Sequence, residues 1–373
     1  MNKLQAQLTL LFLLLPAVVF AQVDGRQYFR LAKAKYDQKD YSQALEYINQ
    51  SVEADSSFLN AFLLRAQIYE AQRKYAKGIK DYTFIIDQIG NNSSQSFSYL
   101  FERAILSRKR KDFKTALKDI DQAIMLNPTY AKAHAEKAYI LFMERKPKIE
   151  ALQVLDDAIE LDPNNPDFYQ KRAYFNATTL DLRLGEPDLS AAIVDINKAI
   201  ELSPRNNELY AFRRKLYQQS NQDDLAIQDL TRSISWGDYD ETQLFDRGKL
   251  FMKSGKADLA IKDFNAAIKK NDQKGQFYRY LGLALHNQAK YQEAIDMFTS
   301  AINRFEGQID TVDRQNNHDL YYRLTQLYAQ AYIERGMSRI QLNHNNEACF
   351  DFRQALKYNE KIANRYLNQY CEP

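Results

Sequence analysis

The chain has 373 residues, of which 51 are Lys or Arg and 48 are Asp or Glu, for a formal net charge of +3. With 45% apolar and 13% aromatic residues it is too hydrophobic to be disordered, and 11 Gly and 8 Pro are too few for a many-turned β protein. The charge balance lacks the basic excess of a nucleic-acid protein, so composition points to a large helical protein.

The first 21 residues stand apart. Lys3 supplies a positive start, residues 8–21 form an uncharged apolar run, and Val19 and Ala21 place small residues at minus three and minus one. The run is shorter than the roughly 20 residues of a membrane-spanning helix, and no later segment approaches that length. These features predict a signal peptide over 1–21 and export to a bacterial periplasm or beyond, the alternative being an uncleaved anchor. No Cys lies near the cleavage point, which argues against lipid attachment there.

The remainder repeats itself. A small residue, then Leu or Ile, then an Asp and Ala-Ile recurs in stretches such as TALKDIDQAIMLNP, SAAIVDINKAIELSP and LAIKDFNAAIKKN. The small residue falls at Ala44, Gly78, Ala116, Ala151, Ala192, Ala226, Ala260, Ala294 and Ala348. A second small residue stands twelve positions earlier in most units, at Ala32, Ala66, Ala104, Gly248, Gly282 and Gly336. Apolar residues at i, i+3, i+4 and i+7 on two successive stretches predict two amphipathic helices per unit. Pro128, Pro163 and Pro204 close three units, where Pro ends one helix and opens the next.

This period of 34 residues, with small residues where the two helices cross, resembles the tetratricopeptide repeat family. The resemblance spans nearly all of 22–360 in nine units, starting near Gly25, Leu59, Phe97, Ala131, Pro166, Asn207, Glu241, Gly275 and Ala329. It implies an all-α fold, a right-handed α-solenoid of helix-turn-helix repeats. The family's early Trp is absent, the sole Trp236 lies in a link, and Arg214 takes a normally small position. Insertions near 91–96, 182–188 and 304–318 read as solvent loops. Residues 319–341 read as one overlong first helix, and 361–373 as a capping helix and tail.

No catalytic pattern appears. His134, His286, His318 and His344 fit no metal-ligand spacing, and there is no phosphate-binding glycine loop or nucleophile elbow. Asp156-Asp157 and Asp223-Asp224 are adjacent only in sequence and diverge on a helix. The chain therefore reads as non-enzymatic, with no cofactor and no metal. Cys349 takes a place held by Leu or Ile in the other units and reads as a buried apolar stand-in. If the capping helix folds back, Cys371 comes level with it, and an oxidising compartment permits a disulfide, the alternative being two free thiols.

The most specific signal is in the charges. Six units carry Arg just before the small residue of the first helix and Asp in the second helix. These are Arg65 and Asp81, Arg103 and Asp119, Arg172 and Asp195, Arg213 and Asp229, Arg247 and Asp263, and Arg335 and Asp351. Five of the six spacings are 16 residues, and the fifth unit's 23 is 16 plus a seven-residue insertion. The first and eighth units lack both members, with Leu31 and Tyr47, and Leu281 and Met297. Joint presence and absence predicts ion pairs between the helices of one repeat.

In the resembled family the first helices line a concave groove. That resemblance places partner contacts at Arg108, Lys109, Tyr139, Phe142, Met143, Tyr174, Lys215, Lys249, Met252, Lys253, Arg279 and His286. Rings and cations together suit a peptide with acidic groups, and an uncancelled Lys and Arg cluster is expected along the middle of the groove. The expected function is an exported scaffold or adaptor that binds protein or peptide partners in an envelope assembly. The alternative is a carrier for an envelope ligand such as a glycan. No nucleic acid and no membrane span after cleavage are expected.

Overall fold

The computed structural model describes residues 24–178, 186–237 and 239–371. The leader expected at 1–21 and most of the insertion near 182–188 lie outside them. Nineteen α-helices and no strand occur among the described residues. The chain divides into two compact units, one ending at Glu186 and the other starting at Pro187.

The first unit contains the helix pairs α1 (Gly25–Asp37) with α2 (Tyr41–Ala54), and α3 (Leu59–Ala71) with α4 (Tyr75–Ile89). It continues with α5 (Phe97–Lys109) and α6 (Phe113–Leu126), α7 (Ala131–Met143) and α8 (Lys148–Leu161), and ends on α9 (Pro166–Ala177). The second unit opens with α10 (Leu189–Leu202), then pairs α11 (Asn207–Gln219) with α12 (Asp223–Ser235) and α13 (Glu241–Lys253) with α14 (Ala257–Lys270). It ends with α15 (Gly275–Asn287) and α16 (Tyr291–Asp310), α17 (His318–Gln341) and α18 (Asn345–Leu356), and a last helix, α19 (Glu360–Tyr370).

The turn inside a pair is closed by backbone, not by sequence-specific loops. Eight first helices end on a left-handed residue: Lys39, Arg73, Lys111, Arg145, Asn221, Gly255, Ala289 and Asn343. The next amide bonds back five residues, as from Asp40 N to Lys35 O at 3.0 Å and from Lys290 N to Leu285 O at 3.0 Å. This closure satisfies carbonyls that a helix end otherwise strands. Asp40, Asp112 and Asp188 then cap the second helices by accepting from the amides of Gln43, Thr115 and Ala191.

Within a pair the small residue of the first helix meets a large one 16 residues on. Ala32 and Ile48, Ala66 and Tyr82, and Ala104 and Ile120 are each almost fully buried in one cluster. Where the small residue is Gly, the opposite residue is Phe: Gly248 with Phe264, Gly282 with Phe298, and Gly336 with Phe352. Removing the β-carbon makes room for the ring, so the backbones stay close.

The insertion near 304–318 is not the loop expected from sequence. Residues up to Asp310 extend α16, and α17 starts at His318. Ile302 and Phe305 continue the apolar stripe of α16 and bury against Tyr328 and Ala331 of α17, with Ile309, Leu324 and Leu327 packed around them. Burial of that stripe keeps both extensions helical. The link near 91–96 holds a 3-10 turn at Ser94–Ser96, tied back where the Ser96 hydroxyl donates to Gly90 O at 2.7 Å.

Candidate binding surface

The expected Arg–Asp pairs carry more than one repeat. Arg65, Arg103, Arg213, Arg247 and Arg335 each place Nε and Nη2 on both oxygens of Asp81, Asp119, Asp229, Asp263 and Asp351, with Nη2 contacts of 2.5–2.7 Å. The third guanidinium nitrogen, Nη1, reaches the second helix of the preceding repeat. It meets Asn49, Thr83, Asn197, Thr231 and Thr299 respectively, at 2.7–3.3 Å. Arg172 makes this same backward bond, to Asp156 Oδ1 at 2.6 Å. Its expected partner Asp195 belongs to the second unit, where it is buried. Lys137 stands at the arginine position of the fourth repeat and bonds Asp121 at 2.8 Å. One planar side chain thus ties two helices of its own repeat to the repeat before it, a geometry that a lysine ammonium does not reproduce.

In the first unit the structure draws Arg108, Tyr139 and Glu136 together. Arg108 Nε bonds Glu136 Oε1, and its guanidinium lies 4.8 Å from the Tyr139 ring centre. Lys109 bonds Glu70 at 2.6 Å. Tyr174 (40% exposed) and Met143 (38%) offer apolar surface to a ligand. Phe142, expected in the groove, is instead core: it is 1% exposed and stacks on Phe175 with ring centres 4.2 Å apart. Its helical direction points it at α9 rather than at solvent. Glu102 sits near Glu70 and Glu136, and burial together with those carboxylates pushes its own carboxyl above the usual range.

In the second unit Lys249 bonds Asp246 at 2.8 Å and Lys253 bonds Asp223 at 2.6 Å, while Lys215 is exposed. Met252 packs against the core. Arg279, expected to face a ligand, is 6% exposed and grips both oxygens of Glu334 at 2.7 and 2.5 Å. His286 Nδ1 lies 2.8 Å from the Ser338 hydroxyl, and burial pulls its pKa down. The uncancelled cation cluster expected along the middle of the groove is therefore corrected: Arg108, Lys109, Lys249, Lys253 and Arg279 each have an acidic partner.

Three of those acids carry a signal in the sequence. Glu136, Asp246 and Glu334 immediately precede the cation of the ion-pair position, and each answers a cation on the preceding first helix: Arg108, Arg214 and Arg279. Arg214, out of place at a small position, is thereby accounted for by its 3.7 Å approach to Asp246. Cys349 and Cys371 form a disulfide, which fastens the end of α19 to α18. Beside α19, a cavity of about 520 Å³ opens against α15 and α17.

Among the described residues no group of three or more His, Cys, Asp or Glu is placed to hold a metal. None of their helices is long and apolar enough to cross a membrane. Tyr174 and Met143 in the first unit and Lys215 in the second are first-helix side chains open to solvent. Each unit is a stack of helical hairpins, a helical-repeat scaffold. Two family models described as tetratricopeptide repeat match the chain, one at residues 29–83 and 245–309 and the other at 329–362. These stretches of the chain are tetratricopeptide repeats.

Solved structures similar to it include a tetratricopeptide repeat protein from Parabacteroides merdae, at 18% identity and TM-score 0.47, covering 70% of this chain and 98% of that one. YrrB, described as a TPR protein with an unusual peptide-binding site, is 19% identical at TM-score 0.38, over 53% and 92% of the two chains. Yeast Tom70 is 16% identical at TM-score 0.36, over 91% and 86%. No curated protein matches the sequence.

Proposed function

We propose that the protein is a non-enzymatic adaptor that binds protein or peptide partners along its first helices. The observation that carries this reading is the pairing of exposed rings with fixed charge. Tyr174 is open to solvent against Phe142, Met143 is open one turn beyond Tyr139, Arg108 lies over the Tyr139 ring, and the Arg108–Glu136 pair joins α5 to α7. Tetratricopeptide repeats supply the same kind of surface, since solenoid stacks are built for recognition. Incorporation of a photo-crosslinking phenylalanine analogue at Tyr174, in cells producing the full chain, tests the reading. Protein adducts on irradiation are expected. Adducts only to glycan, or none, overturn it in favour of the glycan carrier or of another surface.

The site of action belongs to the same proposal: the protein is exported to a bacterial envelope, where it serves an assembly. The leader pattern of Lys3, the 8–21 run, Val19 and Ala21 supports this, and so does a disulfide, which persists in oxidising compartments. Mass spectrometry of the mature protein is expected to find an N-terminus at Gln22. Recovery of Met1 or Asn2 overturns export by cleavage.

A further inference from the structure

The cavity beside α19 combines an apolar bed with two cations at its rim. Its bed is apolar, made by Leu283 of α15, Ile333 and Met337 of α17, and Ile362 of α19. Its volume of about 520 Å³ lies in the range of formed ligand pockets. At its rim stand Lys361 and Arg365, one helical turn apart, exposed, and without an ion-pair partner among the described residues. Glu334, the only carboxylate in the lining among the described residues, is already held by both arms of Arg279. Arg108, Lys109, Lys249, Lys253 and Arg279 are neutralised by neighbours; Lys361 and Arg365 stand together beside an apolar bed without such a neighbour among the described residues.

The helix that carries them is fixed in place. At its start the Asn359 amide donates to Gln326 Oε1 at 2.8 Å, and Gln326 Nε2 donates to Tyr358 O at 2.8 Å. Along its length Ala363 is fully buried and Tyr366 stacks on Phe352 with ring centres 5.4 Å apart. At its end Cys371 is bonded to Cys349. α19 follows the ninth pair as the first helix of another repeat would. It leaves Ile362 43% exposed toward the cavity. A rigid wall of this kind lowers the ordering cost of binding.

We propose that this cleft between α15, α17 and α19 is a docking site for an acidic peptide segment with an apolar anchor. The anchor, a Leu or Phe side chain, fills the Leu283, Ile333, Met337 and Ile362 bed. Flanking carboxylates of the segment meet Lys361 and Arg365 in charge-assisted hydrogen bonds. The inference rests on the peptide-binding reading above and specifies one subsite and its chemistry. The cleft selects against basic segments, because two uncompensated cations repel them.

Fluorescence anisotropy with the full chain and a labelled peptide, Glu-Asp-Leu-Phe-Asp-Glu, tests it. Saturable binding is expected, lost when the four acids are replaced by Lys or when Leu-Phe is replaced by Ser-Ser. Lys361→Glu with Arg365→Glu lies on exposed positions and is expected to weaken binding about tenfold or more. Ile362→Asp has the same effect through the apolar bed, and Lys118→Glu, an exposed cation on the second helix α6, leaves affinity unchanged. Equal binding of the Lys-substituted peptide, or affinity unmoved by Lys361→Glu with Arg365→Glu, overturns the site. Absence of probe binding while protein adducts still form at position 174 overturns this subsite and leaves the peptide-binding reading standing.

Discussion

Gly248 faces the Phe264 ring so closely that a β-carbon there would lie 2.5 Å from ring Cε1. The same relation joins Gly282 to Phe298 and Gly336 to Phe352, at 2.8 and 2.6 Å. A contact that short forces the ring off its rotamer or parts α13 from α14. Gly248→Ala is therefore expected to lower stability by about 1–3 kcal/mol in urea unfolding. Although Ala is the better helix former by up to about 1 kcal/mol, the clash outweighs that gain. Adding Phe264→Ile, which copies the Ala104 and Ile120 pairing, restores much of the loss. A Gly248→Ala protein as stable as wild type contradicts the interlock.

The helical-repeat fold was legible because its determinants are local. Small residues at Ala104 and Ala116 and the apolar stripes around them fall within one repeat, and the Arg103 and Asp119 spacing recurs unchanged. Partners set by the stacking of repeats were not legible. Arg279 reads as free until α17 brings Glu334 to it from 55 residues away. Phe142 is a matter of direction: a groove position assigned by resemblance is filled from the next helix by Phe175. The helical extension of α16 beyond Ile302 depends on Tyr328, which only the paired α17 supplies.

The ion-pair position gives a contrast between buried and exposed carboxylates. The Asp229 side chain is 5% exposed and receives two bonds from Arg213, whereas Asp156 is 51% exposed and receives one from Arg172. Asp229→Ala strands a half-buried guanidinium and is expected to cost about 3 kcal/mol. Asp156→Ala should cost less than about 1 kcal/mol, the usual worth of a surface pair. Thermal unfolding of the two variants side by side measures the difference, and equal effects would contradict it.

Arg279 and Glu334 form an enclosed cation–carboxylate contact between two first helices, with side chains 7% and 14% exposed. Burial raises the Glu334 carboxyl, and the Arg279 guanidinium opposes that rise. Arg279→Ala leaves the carboxylate without its partner and is expected to cost about 3–5 kcal/mol at neutral pH. The unpartnered Glu334 would then titrate still higher. As a group raised above its unfolded value, it adds stability below the ordinary carboxylate pKa and loses it as pH rises. The deficit of Arg279→Ala should therefore shrink toward pH 4. Arg279→Met with Glu334→Leu should recover most of the loss, since an apolar pair fills the space without a stranded charge.

Removing the disulfide should loosen one end of the protein and spare the rest. Cys349 and Cys371 close a loop of 22 residues that contains α19. Loss of a link of that length costs about 2–4 kcal/mol. Cys371→Ser, or reduction, is expected to speed amide exchange in α18 and α19 while α1 to α8 stay as protected as before. Uniform acceleration along the chain would mean that α19 is coupled to a single global transition.

Glu102 offers a gain rather than a loss. Burial and the neighbouring Glu70 and Glu136 raise its carboxyl pKa, and Lys109 and Lys132 only partly oppose the rise. A raised folded-state pKa means that the folded protein holds its proton where the unfolded chain has released it. The contribution to stability is thus present below the ordinary carboxylate pKa and is lost as pH rises through the folded value. At pH 7 the charged Glu102 works against the fold. Glu102→Gln keeps the shape and removes that charge, so its melting temperature should exceed wild type at pH 7 and converge on it near pH 4. A Glu102→Gln protein that melts lower than wild type at pH 7 would show that Lys109 and Lys132 depend on that carboxylate more than burial penalises it.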